Sequence, residues 1–223
     1  MSSRSHTSFK ARSRTRLAVL GAILGLTGGL LGAVPAASAT ADDPLPKINL
    51  DVKGGTATIK KLDASVKVGA GKIAGQITKV DPEAGVAEFT AQINLPPAEG
   101  KFNIFGVIPT TATVSFSQVA PAKGTLKDGK ITARAEVSIQ LKDVKAVGFP
   151  LFVGDNCRTK TPASITLVSA PDYDIFVGGD ISGTFAIPEF TDCGLSTVML
   201  NLLIPGPDNG ITLTLGPWVP EVS

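Results

Sequence analysis

The chain has one histidine in 223 residues, His6, and none after it. From residue 7 onward no imidazole is available for a Ser-His-Asp or Cys-His relay, and none can ligate a metal. The serine signatures that mark a nucleophile locally are missing too. In "GDISG" Asp180 stands two residues before Ser182, and in "GLSTV" Val198 stands two after Ser196. Neither is a Gly-x-Ser-x-Gly elbow, and there is no Ser-x-x-Lys arrangement. Two cysteines, Cys157 and Cys193, are too few for a structural zinc site. Tyr173 and Trp218 are the sole members of their types. They supply neither the stacking platforms of a carbohydrate module nor the two aromatic girdles of an outer-membrane barrel. These absences imply a protein that is not an enzyme and carries no cofactor or metal.

The first 39 residues read as a secretory signal. Met1–Arg16 carries Arg4, Lys10, Arg12, Arg14 and Arg16 with no acid, and Leu17–Val34 is an uncharged apolar run of 18 residues holding five glycines. "PAASA" then places Ala37 and Ala39 at the small positions a signal peptidase requires. Cleavage is expected between Ala39 and Thr40, with Ala41 as the alternative. A transmembrane anchor fits less well, because the run ends at a cleavage site rather than a basic flank. No later apolar stretch reaches 18 residues, so no helix crosses a membrane after cleavage. The signal holds 5 of the 21 basic residues and none of the 19 acidic ones, which leaves the mature chain at −3. A nucleic-acid partner, which wants a basic stripe, is excluded.

What remains reads as strands. In Lys130–Lys142, "KITARAEVSIQLK", Ile131, Ala133, Ala135, Val137, Ile139 and Leu141 alternate with polar residues throughout. A period of two means one buried and one wet face. Asp128-Gly129 supplies the tight turn that pairs this strand with "AKGTLK". A second hairpin joins "KIAGQITKV" to "EFTAQINL" across "DPEAG". The one helical candidate is Gly194–Leu203, "GLSTVMLNLL". The expected fold is all-β: a single antiparallel β-sandwich or barrel with at most one short helix near 194–203. Residues 40–54 are expected as a lead-in and 55–223 as the domain.

Candidate sites are few. Asp172, Asp174, Asp180, Glu189 and Asp192 could pair as hydrolytic carboxylates, but acids at strand ends are also ordinary turn residues. "PDYDIFVGGD" lacks the central glycine and terminal glutamate of a calcium loop, and "VGAGKIAG" lacks the Gly-Lys-Ser/Thr ending of a phosphate loop. An even cysteine count in an exported chain predicts a Cys157–Cys193 disulfide. Three apolar loops, "KFNIFGVIP", "VGFPLFVGD" and "YDIFVGG", place Phe102, Phe105, Phe149, Phe152 and Phe176 beside Gly or Pro. These rings either line the mouth of an apolar cavity or touch lipid, or they cap the ends of the core.

The segment "NCRTKTPASITL" followed by "ISGTFAIPEFTDCGLSTVMLNLLIPGPDNGITLTL" resembles a group of secreted actinobacterial proteins. The resemblance covers roughly residues 55–215 and implies export, a disulfide and an all-β fold, with no catalytic residue to carry over. Taken together, the expectation is an exported binding protein of the cell envelope or extracellular space. Its partner would be an apolar or lipid-like small molecule, or an envelope protein. The alternatives are a surface interaction or structural protein without a ligand, and a carboxylate-based hydrolase.

Overall fold

Strand β8 (Lys130–Ala146) carries the expected alternation into three dimensions. Ile131, Ala135, Val137, Ile139 and Leu141 are buried, while Thr132, Arg134 and Lys142 face water. In this computed structural model, which describes residues 45–218, β8 takes neighbours end to end. Along one edge lie β6 (Ile108–Gln118) and β7 (Ala122–Lys127); along the other lies β11 (Ala163–Ser169). Asp128 and Gly129 both have positive φ (50° and 75°), as a two-residue β7–β8 hairpin requires. Near the far end Asp143 (φ 49°) creates a bulge, after which Val144 rather than Asp143 turns inward.

Strand β1 (Lys47–Ile59) plays the same part across the molecule. Residues Gly55–Ile59 pair with β2 (Ala64–Val68) and residues Lys47–Val52 with β3 (Gly71–Asp81), on one continuous register. The other edge pairs with β14 (Gly206–Leu215). Strand pairing thus begins at Lys47, inside the segment expected as a lead-in. Ile48, Leu50 and Val52 are buried, so these residues belong to the core.

The pairings close. One ring runs β1–β3–β4–β7–β8–β11–β12–β14, with β4 at Val86–Asn94 and β12 at Gly179–Ile187. A second ring runs β1–β2–β5–β6–β8–β11–β12–β14, with β5 at Ala98–Ile104. Five strands (β1, β14, β12, β11 and β8) form a wall common to both. The facing wall is made of two shorter pieces set end to end. The division falls where the sequence places Pro96, Pro97 and Pro121, which lack the N–H a ladder needs. The result is an antiparallel all-β barrel, closed in both halves, with polar outer faces and an apolar interior.

The Gln118 carboxamide bridges the division. Its Oε1 accepts from Ile93 N–H at 2.6 Å and its Nε2 donates to Ala91 O at 3.3 Å. The side chain therefore acts as one further peptide unit where β7 has not yet begun.

At one end of the barrel Cys157 and Cys193 form the expected disulfide, with Cα atoms 4.3 Å apart and both residues fully buried. Short strands β10 (Arg158–Thr159) and β13 (Phe190–Thr191) pair beside it. The expected helix is a single 3₁₀ turn at Gly194–Ser196 running into α1 (Thr197–Leu203). The tips of the β5–β6 and β8–β9 hairpins (β9, Phe149–Pro150) lie at this same end. We call it the disulfide end. The opposite end holds the β3–β4 and β7–β8 turns and the long β11–β12 loop. No helix among the described residues is long and apolar enough to cross a membrane. The expected signal segment and its expected cleavage point between Ala39 and Thr40 lie outside the described residues.

Candidate functional site

The inward residues of the barrel do not fill it. Many are small: Ala57, Ala91, Ala122 and Ala135 are buried along its length. Three voids of about 30, 40 and 50 Å³ lie in succession along the axis. The smallest occupies the half closed by β3, β4 and β7, among Leu50, Phe89, Ala133 and Ile181. The next lies at the division of the wall, among Leu95, Ala135, Val137 and Ile211. The largest lies toward the disulfide end, among Ala57, Leu62, Phe102, Phe185 and Ile204. Ile93 and Leu167 border both the first and second voids, and Phe116 both the second and third. Gln118 is the one polar side chain among the residues lining the three. Protein interiors are close-packed, and apolar voids larger than a water molecule are few per domain. This barrel holds three in line.

The five phenylalanines expected at a cavity mouth divide into three groups. Phe102 is half-buried and lines the largest void. Phe105, Phe149 and Phe152 stand in water at the disulfide end, at 67%, 74% and 85% exposure. Phe176 belongs to the opposite end, where its ring packs against Trp218 with centroids 5.7 Å apart.

The disulfide end carries more apolar surface than the sequence led one to expect. Val107 and Val147 are exposed on the two hairpin tips, and Leu195, Val198 and Leu202 are exposed beside and along α1. With the three phenylalanines they make eight large apolar side chains in water at one end. The elements bearing them touch one another. Val147 N–H donates to Pro109 O at 2.8 Å, tying the two hairpins. A side chain at Gly194 would meet Phe152 O at 3.2 Å, which places the 3₁₀ turn leading into α1 against the disulfide-tied loop. The spacing 195, 198, 202 was the available signal: it is one helical face, in a segment apolar on every side.

Between the hairpin tips, Lys101 on β5 and Lys145 on β8 flank Thr111 of β6 in one cross-strand row. Two strand spacings separate their backbones, about 10 Å. They line an open groove with Phe102, Asn103, Thr110 and Val147, and no acid lines it. Phe102 thus separates this groove from the largest inner void.

The acidic candidates do not converge. Asp172, Asp174 and Asp180 lie at the end opposite Glu189 and Asp192. Asp174 accepts from Phe176 N–H at 2.8 Å, a turn contact, and Asp180 accepts from Thr214 Oγ1 at 2.6 Å. Among the described residues no group of three or more His, Cys, Asp or Glu could hold a metal ion. Comparison of the chain with protein-family models, curated proteins and solved structures gives no match.

Proposed function

We propose that this is an exported, non-catalytic binding protein of the cell envelope or extracellular space whose barrel takes one apolar, chain-shaped ligand. The observation that carries the reading is the line of three apolar voids inside a closed barrel. Small-molecule pockets enclose about 300–1,000 Å³. Voids of about 30 to 50 Å³ are far smaller, so a sterol or a fused-ring molecule does not suit them. An acyl chain is narrow enough to follow their line, and it enters where Ile93, Leu167 and Phe116 turn aside and the lumen widens to join the voids into one channel. Phe102, which borders both the last void and the Lys101–Lys145 groove, then marks the way in from the disulfide end. The long apolar chain lies in the lumen, and a polar or anionic head remains in water.

Native mass spectrometry of the protein purified from its own envelope tests this. The expected result is a bound apolar molecule, released on denaturation, and absent from an Ala135→Leu variant that fills the central void. Wild-type protein that carries no adduct and takes up no fatty acid on incubation overturns the reading.

A further inference from the structure

We propose that the disulfide end is a docking face for an anionic lipid bilayer, with the hairpin tips and the outer face of α1 entering the headgroup layer. The proposal is independent of whether the lumen holds a ligand.

The placing of the apolar side chains selects a bilayer over a protein partner. The apolar side chains stand on separate projecting elements: Phe105 and Val107 on one hairpin tip, Phe149 on the next, and Phe152 on the disulfide-tied loop. A rigid protein would need a matching socket for each projection, whereas a lipid surface moulds around convex tips. Each buried apolar side chain adds to the partitioning of such a face into the interface. Folding alone leaves these rings in water, a cost that docking removes.

Charge selects the anionic lipid. Lys101 and Lys145 are exposed and lie in one row with no acid in the groove they line. A phosphate seated between them would neutralise both, with Asn103 and Thr111 as further donors at the groove. The acids of this end lie elsewhere. Glu99 stands two residues before Lys101 on β5, Asp143 is in the β-bulge, where the Thr113 hydroxyl reaches it at 3.5 Å, Asp63 and Asp208 are in the β1–β2 turn and at the start of β14, and Asp155, Glu189 and Asp192 are in the loops around the disulfide. The opposite end presents Asp81, Glu83, Asp128, Asp172 and Asp174 in its turns against Lys79, Lys127 and Lys130, a small acidic excess that favours the orientation with the tips toward an anionic surface.

The test is co-sedimentation of the exported protein with vesicles of phosphatidylcholine alone and of phosphatidylcholine mixed with phosphatidylglycerol. Wild type is expected to bind the anionic vesicles more strongly. The Phe149→Ser/Phe152→Ser variant should lose at least about tenfold in partitioning. Lys101→Glu/Lys145→Glu should lose the preference for anionic vesicles, about fivefold for each lysine. Phe149, Phe152, Lys101 and Lys145 are all exposed, so thermal unfolding of these two variants should stay at the wild-type value. Phe176→Ser, at the other end, and Ala135→Leu, in the lumen, should bind vesicles as wild type does. The Ala135→Leu result separates this proposal from the lumen reading. Wild type that ignores both vesicle types overturns the proposal, as does equal loss in Phe176→Ser. A wild-type dimer that dissociates in the Phe149→Ser/Phe152→Ser variant overturns it as well, assigning the face to a second copy of the chain.

Discussion

Tyr173 gives the most direct physical test of the structure. It is the chain's only tyrosine, is 2% exposed, and its hydroxyl has no hydrogen-bond partner among the described residues. Burial, and secondarily the charge of Asp174, push its pKa up from 10.0 to about 12. The fold therefore disfavours the phenolate, whereas the unfolded chain ionises near its ordinary value. The stabilisation tied to this group is complete below pH 10 and is lost as pH rises through 12. Two pKa units correspond to about 3 kcal/mol, a large share of a typical domain's stability. Because no other tyrosine contributes, near-ultraviolet phenolate absorbance reports Tyr173 alone. It should titrate near pH 12, or together with unfolding if the fold fails first. Urea unfolding across the same range should show the loss, and Tyr173→Phe should lack that part of it. At neutral pH Tyr173→Phe should gain about 1 kcal/mol by removing a buried hydroxyl without a partner. Phenolate absorbance rising near pH 10 while the fold persists would refute the reasoning. So would a Tyr173→Phe variant clearly less stable than wild type, since that requires the hydroxyl to be bonded.

Three further predictions concern the frame. Replacing both Cys157 and Cys193 by serine opens a bridge across 36 positions and should cost about 4 kcal/mol in the chain-entropy account, read by urea unfolding. A Cβ added at Gly183 would lie 2.0 Å from Thr166 O, so Gly183→Ala should destabilise the β11–β12 contact by about 2 kcal/mol or more in thermal unfolding. Gln118→Leu leaves the Ile93 N–H without its acceptor at the division of the wall, and should cost about 1–3 kcal/mol. Amide exchange at Ile93 should quicken in that variant more than exchange along β8.

The features readable from sequence were those set by neighbours in the chain. The β8 alternation, the Asp128-Gly129 turn and the 194–203 helix depend on local period and local backbone, and all three are present. Ring closure depends on pairs such as Ala57 with Ile211, 154 positions apart, and no local pattern encodes which strands meet. That is why sandwich and barrel could not be separated beforehand. The prolines at 96, 97 and 121 were visible, but they read as ordinary breaks between strands. Their effect as a single division appears only when β2, β5 and β6 stack end to end with β3, β4 and β7. Gln118 was equally hidden, because a polar residue at a strand end gives no sign that its amide will continue another strand's ladder.

The phenylalanine loops show the same limit from the side of function. In "KFNIFGVIP" Ile104 is 5% exposed and its neighbour Phe105 is 67% exposed, although both are large and apolar. The difference comes from backbone direction. Phe105 takes a positive φ of 53° at the tip of its hairpin, which turns the ring away from the core that Ile104 enters. Apolarity marked both residues, and only the turn decided which one faces water. The α1 segment repeats the point: Leu200 is buried while Leu195 and Leu202 are exposed, because a short helix packed on one side cannot bury every face. A sequence can therefore show that a loop is apolar for a reason. Whether the reason is the core or a surface beyond the molecule is a property of the folded end, and at the disulfide end eight such side chains stand in water together.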